Sequence, residues 1–279
     1  MINAFVLQMT STPGVKENLA FVRSALLEKS RTLGADLHGS IVVLPECFAC
    51  FGGKDNLNLG IAEETGNGPV QLELAGIAKE FGIYLVAGSF PTKSQNKNKF
   101  LATCLVFDPS GILIADYQKI HLFDVEVDDN TGSYRESDST QAGNKLVVFD
   151  TPAGKVGVAI CYDLRFPGLF QELRSLGANT IVLPSAFTEL TGDAHWLPLI
   201  QARAIENQLY MVAANQNGVH QNGRQTFGHS VVVSPWGNIL VNAERQNGLF
   251  GAALDMVKLQ EIRSKMPVFV HNQFKSRLV

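Results

Sequence analysis

The feature that most restricts how this 279-residue chain folds is that its pattern is written twice. Residues 3–9 read as a strand, Leu19, Val22 and Leu26 lay a helical stripe through about 16–33, and 41–44 reads as a further strand. Pro69 opens a second helix with Val70, Leu74, Ile77, Ala78 and Phe81 along one face, followed by strands over 83–88, 101–108 and 112–117. A long polar connection covers about 119–144. The same order then returns: strand 156–161, helix 168–176, strand 180–183, helix 195–208, strand 210–215 and a strand pair around Ser234-Pro235-Trp236-Gly237. Local spellings recur in the same sequence. Leu33-Gly34-Ala35-Asp36 returns as Leu176-Gly177-Ala178-Asn179, and Val43-Leu44-Pro45 as Val182-Leu183-Pro184. Tyr84-Leu85-Val86-Ala87 returns as Tyr210-Met211-Val212-Ala213, and Asp108-Pro109-Ser110-Gly111 as Ser234-Pro235-Trp236-Gly237, these two pairs at one common offset.

Helices cover one face of each unit's sheet and leave the other face bare. Two units bury their bare faces against each other, which predicts an α/β fold, a four-layer α-β-β-α sandwich of two similar halves. The halves are about 2–118 and 155–257, with a C-terminal segment after them, in a single domain over 1–279. Equivalent strand ends then meet at one rim.

A net charge of −3 and a sequence pI near 6.1 give no electrostatic footprint for nucleic acid or an anionic membrane, so neither is an expected partner. The first residues lack a charged leader, and no stretch approaches the roughly 20 apolar residues that span a bilayer. A cytoplasmic location is expected. Cys47, Cys50, Cys104 and Cys161 are too few and scattered for a disulfide scaffold, so reduced thiols are expected. Cys47-x-x-Cys50 alone suggests a redox pair or half a zinc site, but no second pair follows and no metal site is expected. A Gly-x-Ser-x-Gly elbow, a His-Glu-x-x-His pair, a phosphate loop and a Gly-x-Gly-x-x-Gly turn are all missing from the sequence.

The stretch from Lys155 to Gly168 carries the chemistry. Val156, Val158 and Ile160 are β-branched, with Gly157 and Ala159 between them, so the run reads as a buried strand with Cys161 at its carboxyl end. Phe166-Pro167-Gly168 marks a turn, and Leu169, Phe170, Leu173 and Leu176 recur at helical spacing. Open α/β sheets bind ligands beyond such strand ends. Cys161 is therefore a candidate nucleophile, the alternative being one more small buried residue. Glu46, after Leu44-Pro45, is a candidate base. Lys119, after the last strand of the first half, offers a point charge for an oxyanion and for raising the thiolate fraction of a nearby cysteine. Singly, each charge reads as an ordinary strand-end cap. Ser185 stands where the second half would repeat Glu46, so one site per chain is expected.

Three ordered motifs resemble the nitrilase, or carbon-nitrogen hydrolase, superfamily: Leu44-Pro45-Glu46, Tyr117-Gln118-Lys119-Ile120-His121-Leu122-Phe123-Asp124 and Ile160-Cys161-Tyr162-Asp163-Leu164-Arg165-Phe166-Pro167. The resemblance covers nearly the whole chain and implies a Glu-Lys-Cys catalytic set, with Glu46 as base, Cys161 as nucleophile, and Lys119 and the Tyr162 backbone N–H on the oxyanion. Glu136 matches a second glutamate that holds the lysine and substrate. The implied reaction takes an amide to a carboxylate and ammonia through a thioester, with no metal or organic cofactor. Ser185-Ala186-Phe187-Thr188, Thr191-Gly192-Asp193-Ala194-His195-Trp196, Met266-Pro267-Val268-Phe269 and Tyr134-Arg135-Glu136-Ser137-Asp138 look most like the branch acting on deaminated glutathione, next to ω-amidases acting on α-ketoglutaramate-like substrates. A small-molecule amide is thus the expected partner. A catalytically silent interaction module and a Cys-x-x-Cys redox or metal protein are the readings from outside the class. Arg165 suits a substrate carboxylate, or else a structural ion pair with Asp163; Phe187 and Thr191 suit the pocket wall. His121, His195 and His229 read as supporting or simply buried histidines. Family habit further implies a homodimer or higher homo-oligomer.

Overall fold

A computed structural model describes residues 2–53, 57–128 and 132–278, and two sheets dominate it. The first has the strand order Gly248–Leu254, Ile2–Gln8, Ile41–Val43, Tyr84–Val86, Phe100–Phe107, Phe90–Lys93; Leu113–Gln118 and Thr140–Gln141 also pair with Phe100–Phe107. The second has the order Val148–Thr151, Gly154–Val158, Ala178–Ser185, Tyr210–Asn215, Val231–Val233, Ile239–Asn242. In each, three neighbouring strands run parallel with an antiparallel strand on either side. The two repeated turn spellings fold alike. Gly111 N–H bonds Asp108 O and Gly237 N–H bonds Ser234 O, both at 2.9 Å, and both glycines sit in the left-handed region at φ 81 and 87 that other residues avoid.

Period-2 alternation sets the layers. Ala4 and Val6 on the first strand, with Val43, Val86 and Val106, join one buried cluster with second-sheet residues such as Val158, Val182 and Val212. Their neighbours Phe5, Leu7, Val42, Leu44 and Leu85 face the other way, onto Leu19, Val22 and Leu26 of helix Val15–Leu33 and Leu74, Ile77 and Ala78 of helix Pro69–Phe81. Helices Pro167–Ser175 and Glu189–Asn207 cover the outer face of the second sheet through Leu169, Phe170, Leu173, Trp196, Ile200 and Ala204. The layers are helix, sheet, sheet, helix. Strands covered on both faces read as continuous apolar runs, as Phe100–Phe107 does, with every residue buried.

Several boundaries differ from the sequence expectation. The strand expected over 156–161 ends at Val158, and Cys161 opens a short turn, Cys161–Arg165. The helix expected from 195 begins at Glu189, because the Thr188 side chain accepts the Thr191 N–H and caps it; Pro198 lies inside. The connection 119–144 contains a hairpin, Asp124–Glu126 with Ser133–Arg135. Gly248–Leu254, unassigned in the sequence reading, returns to the first sheet and pairs antiparallel along all of Ile2–Gln8.

Candidate active site

The nucleophile's turn is built around one buried carboxylate. Cys161 holds φ 46, a left-handed conformation that costs a side-chain-bearing residue about 1–3 kcal/mol and persists where its surroundings fix it. Asp163, fully buried, supplies that fixing. Its Oδ2 accepts the Ile160 N–H at 2.9 Å and the Tyr117 hydroxyl at 2.7 Å, and its Oδ1 accepts the His121 N–H at 3.1 Å with the His121 Nδ1 at 2.7 Å. Asp163 thus ties the cysteine turn to the segment that carries Lys119. Its engagement removes the ion pair considered for Arg165.

Lys119 follows strand Leu113–Gln118, and its ammonium is buried between two carboxylates. It donates to Glu46 Oε1 at 2.7 Å and to both Glu136 oxygens at 3.0 and 2.8 Å. Burial alone pulls the ammonium's pKa down, but the charges of Glu136 and Glu46 outweigh it and hold it well above the usual lysine range. Glu136 also accepts the Phe123 N–H at 2.6 Å, so the hairpin in the 119–144 connection is what delivers it. Burial and the Glu46 charge raise its carboxyl pKa against the opposing pull of Lys119. The Gln216 side chain fixes the backbone of Glu46 by donating to its carbonyl at 2.9 Å.

The Cys161 thiol is buried beside the Glu46 carboxylate and the Lys119 ammonium. Burial and the Glu46 charge hold the thiol well above its ordinary pKa, despite Lys119. The ammonium favours the thiolate as expected, but burial and the Glu46 charge outweigh it, so the resting cysteine keeps its proton and Glu46 stands beside it as the acceptor.

Glu46, Lys119, Glu136, Cys161, Tyr162, Arg165, Phe187 and Thr191, the eight residues named from the sequence, all border one cavity of about 640 Å³. Arg165 lies over the rings of Tyr162 and Phe187 at 5.9 and 5.4 Å and approaches His195 Nδ1 at 3.3 Å. The Thr191 hydroxyl pairs with that of Thr188 at 2.8 Å, and Phe187 packs on Trp196. His121 stacks on Phe166 with centroids 3.7 Å apart. Cys47 and Cys50 are free thiols; Cys47 also borders the cavity, where Ser89 Oγ accepts its N–H at 2.9 Å. Sequence reasoning missed Arg224 and the rings of Phe51, Phe123 and Tyr134 as further lining of the cavity. Arg224 lies between two short strands, outside every motif.

A family model described as carbon-nitrogen hydrolase matches residues 4–264. A deaminated glutathione amidase of Yersinia enterocolitica is 40% identical over 278 residues, covering 99% of this chain and 95% of that protein. Among solved structures, Saccharomyces cerevisiae Nit3, a member of branch 10 of the nitrilase superfamily, superposes with a TM-score of 0.86 at 30% identity, covering 98% of this chain and 97% of its own. The C. elegans NitFhit protein superposes with a TM-score of 0.88 at 34% identity over 98% of this chain, which spans only 65% of that longer one.

Proposed function

Because this chain belongs to the carbon-nitrogen hydrolase family, we propose that it is an amidase cleaving the γ-amide of deaminated glutathione through a thioester on Cys161. One observation carries the reading. A buried thiol, a buried carboxylate and the buried ammonium that donates to it meet at the wall of a cavity that also holds guanidinium groups. The curated relatives named deaminated glutathione amidase, from bacteria to Homo sapiens, support the substrate.

The geometry performs the reaction as follows. Glu46 takes the thiol proton as the Cys161 sulfur bonds to the amide carbon. In that step Lys119 loses one of its two counter-charges, while the developing oxyanion supplies a new one beside it and the Tyr162 N–H. Glu136 stays paired with the ammonium throughout and holds it in place. The proton on Glu46 passes to the leaving nitrogen, and the amine departs. Glu46 then takes a proton from water, which attacks the thioester and frees the carboxylate and the thiol. The leaving group depends on the substrate. A primary amide such as α-ketoglutaramate releases the ammonia expected from the sequence, whereas the γ-amide nitrogen of deaminated glutathione carries cysteinylglycine, and that dipeptide leaves instead.

The test is incubation with deaminated glutathione and with α-ketoglutaramate, with chromatographic detection of cysteinylglycine and ammonia. Release of cysteinylglycine by the unaltered protein and none by Cys161→Ala is the expected result. Cleavage of α-ketoglutaramate alone makes the chain an ω-amidase instead.

Assembly and location belong to the same proposal. Two chains would pair through helices and the C-terminal segment, where Phe269, Val270 and Phe274 are exposed. Light scattering on the purified chain is expected to give at least a dimer mass, and a monomer mass contradicts it. The free thiols suit a reducing, cytoplasmic setting; no helix among the described residues is long and apolar enough to cross a membrane.

A further inference from the structure

The aromatic rings of the cavity form a file with a guanidinium at each end. Arg165 lies over Tyr162; Tyr162 meets Phe123 at 5.1 Å; Phe123 meets Tyr134 at 5.0 Å; Arg224 lies 4.6 Å over Tyr134 and 5.3 Å over Phe51. All seven groups of this array, Phe187 included, border the cavity. Both guanidiniums are half-buried, and among the described residues neither has a carboxylate partner. Arg135, which also reaches the cavity, differs: it is exposed and paired with Glu126 at 3.3 Å.

Arg224 is mounted rigidly. It ends the loop of a hairpin, Asn217–Val219 with Gln225–Phe227, closed by a bond from the His220 N–H to the Arg224 carbonyl at 2.8 Å. His220 is itself buried, with Nδ1 3.0 Å from the Ser11 carbonyl and Nε2 2.8 Å from the Thr226 hydroxyl. A half-buried guanidinium, held over two rings at the border of the cavity and without a carboxylate partner among the described residues, is organised for an anion from outside the chain.

We propose that Arg224 binds the carboxylate of the leaving amine, so that the cavity takes a substrate with an acid on each side of the scissile amide. The inference rests on the amidase reading above and adds the recognition of the leaving group. Arg165, four residues after the nucleophile and at the near end of the file, serves the acid of the acyl group. Three rings separate it from Arg224, which stands at the end where a larger leaving group extends, its peptide chain lying along the ring faces. Ammonia has no group that reaches Arg224. The acyl-enzyme is the same α-ketoglutaryl thioester from either substrate, so Arg224 acts only before the amine departs.

The experiment measures kcat and KM of the unaltered protein, Arg224→Gln and Arg224→Lys with three substrates: deaminated glutathione, its analogue ending in a carboxamide, and α-ketoglutaramate. Loss of a charge-assisted pair is expected to lower kcat/KM of Arg224→Gln for deaminated glutathione about tenfold or more, mainly through KM. The carboxamide analogue is expected to lose most of its sensitivity to the substitution, and α-ketoglutaramate to change less than about twofold. Arg224→Lys is expected to recover part of the loss. Equal loss with all three substrates, or no loss with any, overturns the inference. Failure of the unaltered protein to release cysteinylglycine removes the amidase reading as well, whereas release that is indifferent to Arg224 removes this inference alone.

Discussion

Replacing Asp163 by asparagine tests whether one buried carboxylate joins the two arms of the site. Each oxygen of Asp163 holds two groups: Ile160 N–H and Tyr117 OH on Oδ2, His121 N–H and Nδ1 on Oδ1. An asparagine keeps one oxygen, so whichever way it turns, two of the four contacts meet an NH2 group. The Tyr117 hydroxyl or the His121 Nδ1 can accept from that NH2, but the Ile160 or His121 N–H beside it cannot, so at least one bond to a charged acceptor is lost, about 1.5–3 kcal/mol. That corresponds to a drop of about 3–12 °C in Tm for a chain of this size. Tyr117→Phe removes one of the four and is expected to lose about a third to a half as much. Thermal scans by circular dichroism measure both, and kcat/KM measured on the same samples at 20 °C is expected to fall further for Asp163→Asn, because the turn holding Cys161 and the segment holding Lys119 lose their tie. An Asp163→Asn protein within about 0.5 kcal/mol of the unaltered one and equally active would mean that Asp163 does not join the two arms.

Other substitutions separate the parts of the site. Lys119→Met leaves Glu46 and Glu136 buried without their cation and is expected to lower stability by about 3–5 kcal/mol and kcat/KM by at least about a hundredfold; a merely capping lysine gives neither in steady-state kinetics and denaturation curves. Cys47→Ala and Cys104→Ala are expected to retain turnover that Cys161→Ala abolishes, and loss with Cys47→Ala alone would move the nucleophile. Arg165→Met is expected to raise KM for an acidic amide more than for a neutral one, equal effects arguing for a structural role. Burial first, then the Glu46 charge, push the Cys47 thiol from 9.0 to about 12, so the folded chain keeps this proton after the unfolded chain has lost it. Its stabilising contribution is present below about pH 9 and is lost as pH rises toward 12, by up to about 1.4 kcal/mol per unit. Unfolding free energy is therefore expected to fall less steeply above about pH 9 in Cys47→Ala, and parallel slopes contradict this.

What the sequence made legible was local and repeated. Pro69 with its apolar stripe, the strands with continuous apolar runs and the duplicated turns at Gly111 and Gly237 all carry their structure in nearest neighbours, and the repeat then sets the layers. The strand Gly248–Leu254 was illegible because its sequence, rich in small residues, has no period, and its partner Ile2–Gln8 lies at the opposite end of the chain. Cys161 looked like the last residue of a strand; the capping carboxylate that bends the chain after Val158 comes from Asp163 and is fixed by Tyr117 of the first half and His121 of the connection that follows it. The motifs pointed to the bond-breaking groups, since those must have particular chemistry. Arg224 escaped because a surface-loop arginine carries no signal until Phe51 and Tyr134, far away in sequence, are seen beneath it.

In the proposed mechanism the acyl group rests on Cys161. Acid-quenching the protein during turnover of deaminated glutathione and of α-ketoglutaramate, followed by peptide mass spectrometry, locates that group. The predicted result is one and the same α-ketoglutaryl adduct from both substrates, on the peptide bearing Cys161. Turnover with an adduct on Cys47 instead, or with different adducts from the two substrates, contradicts it.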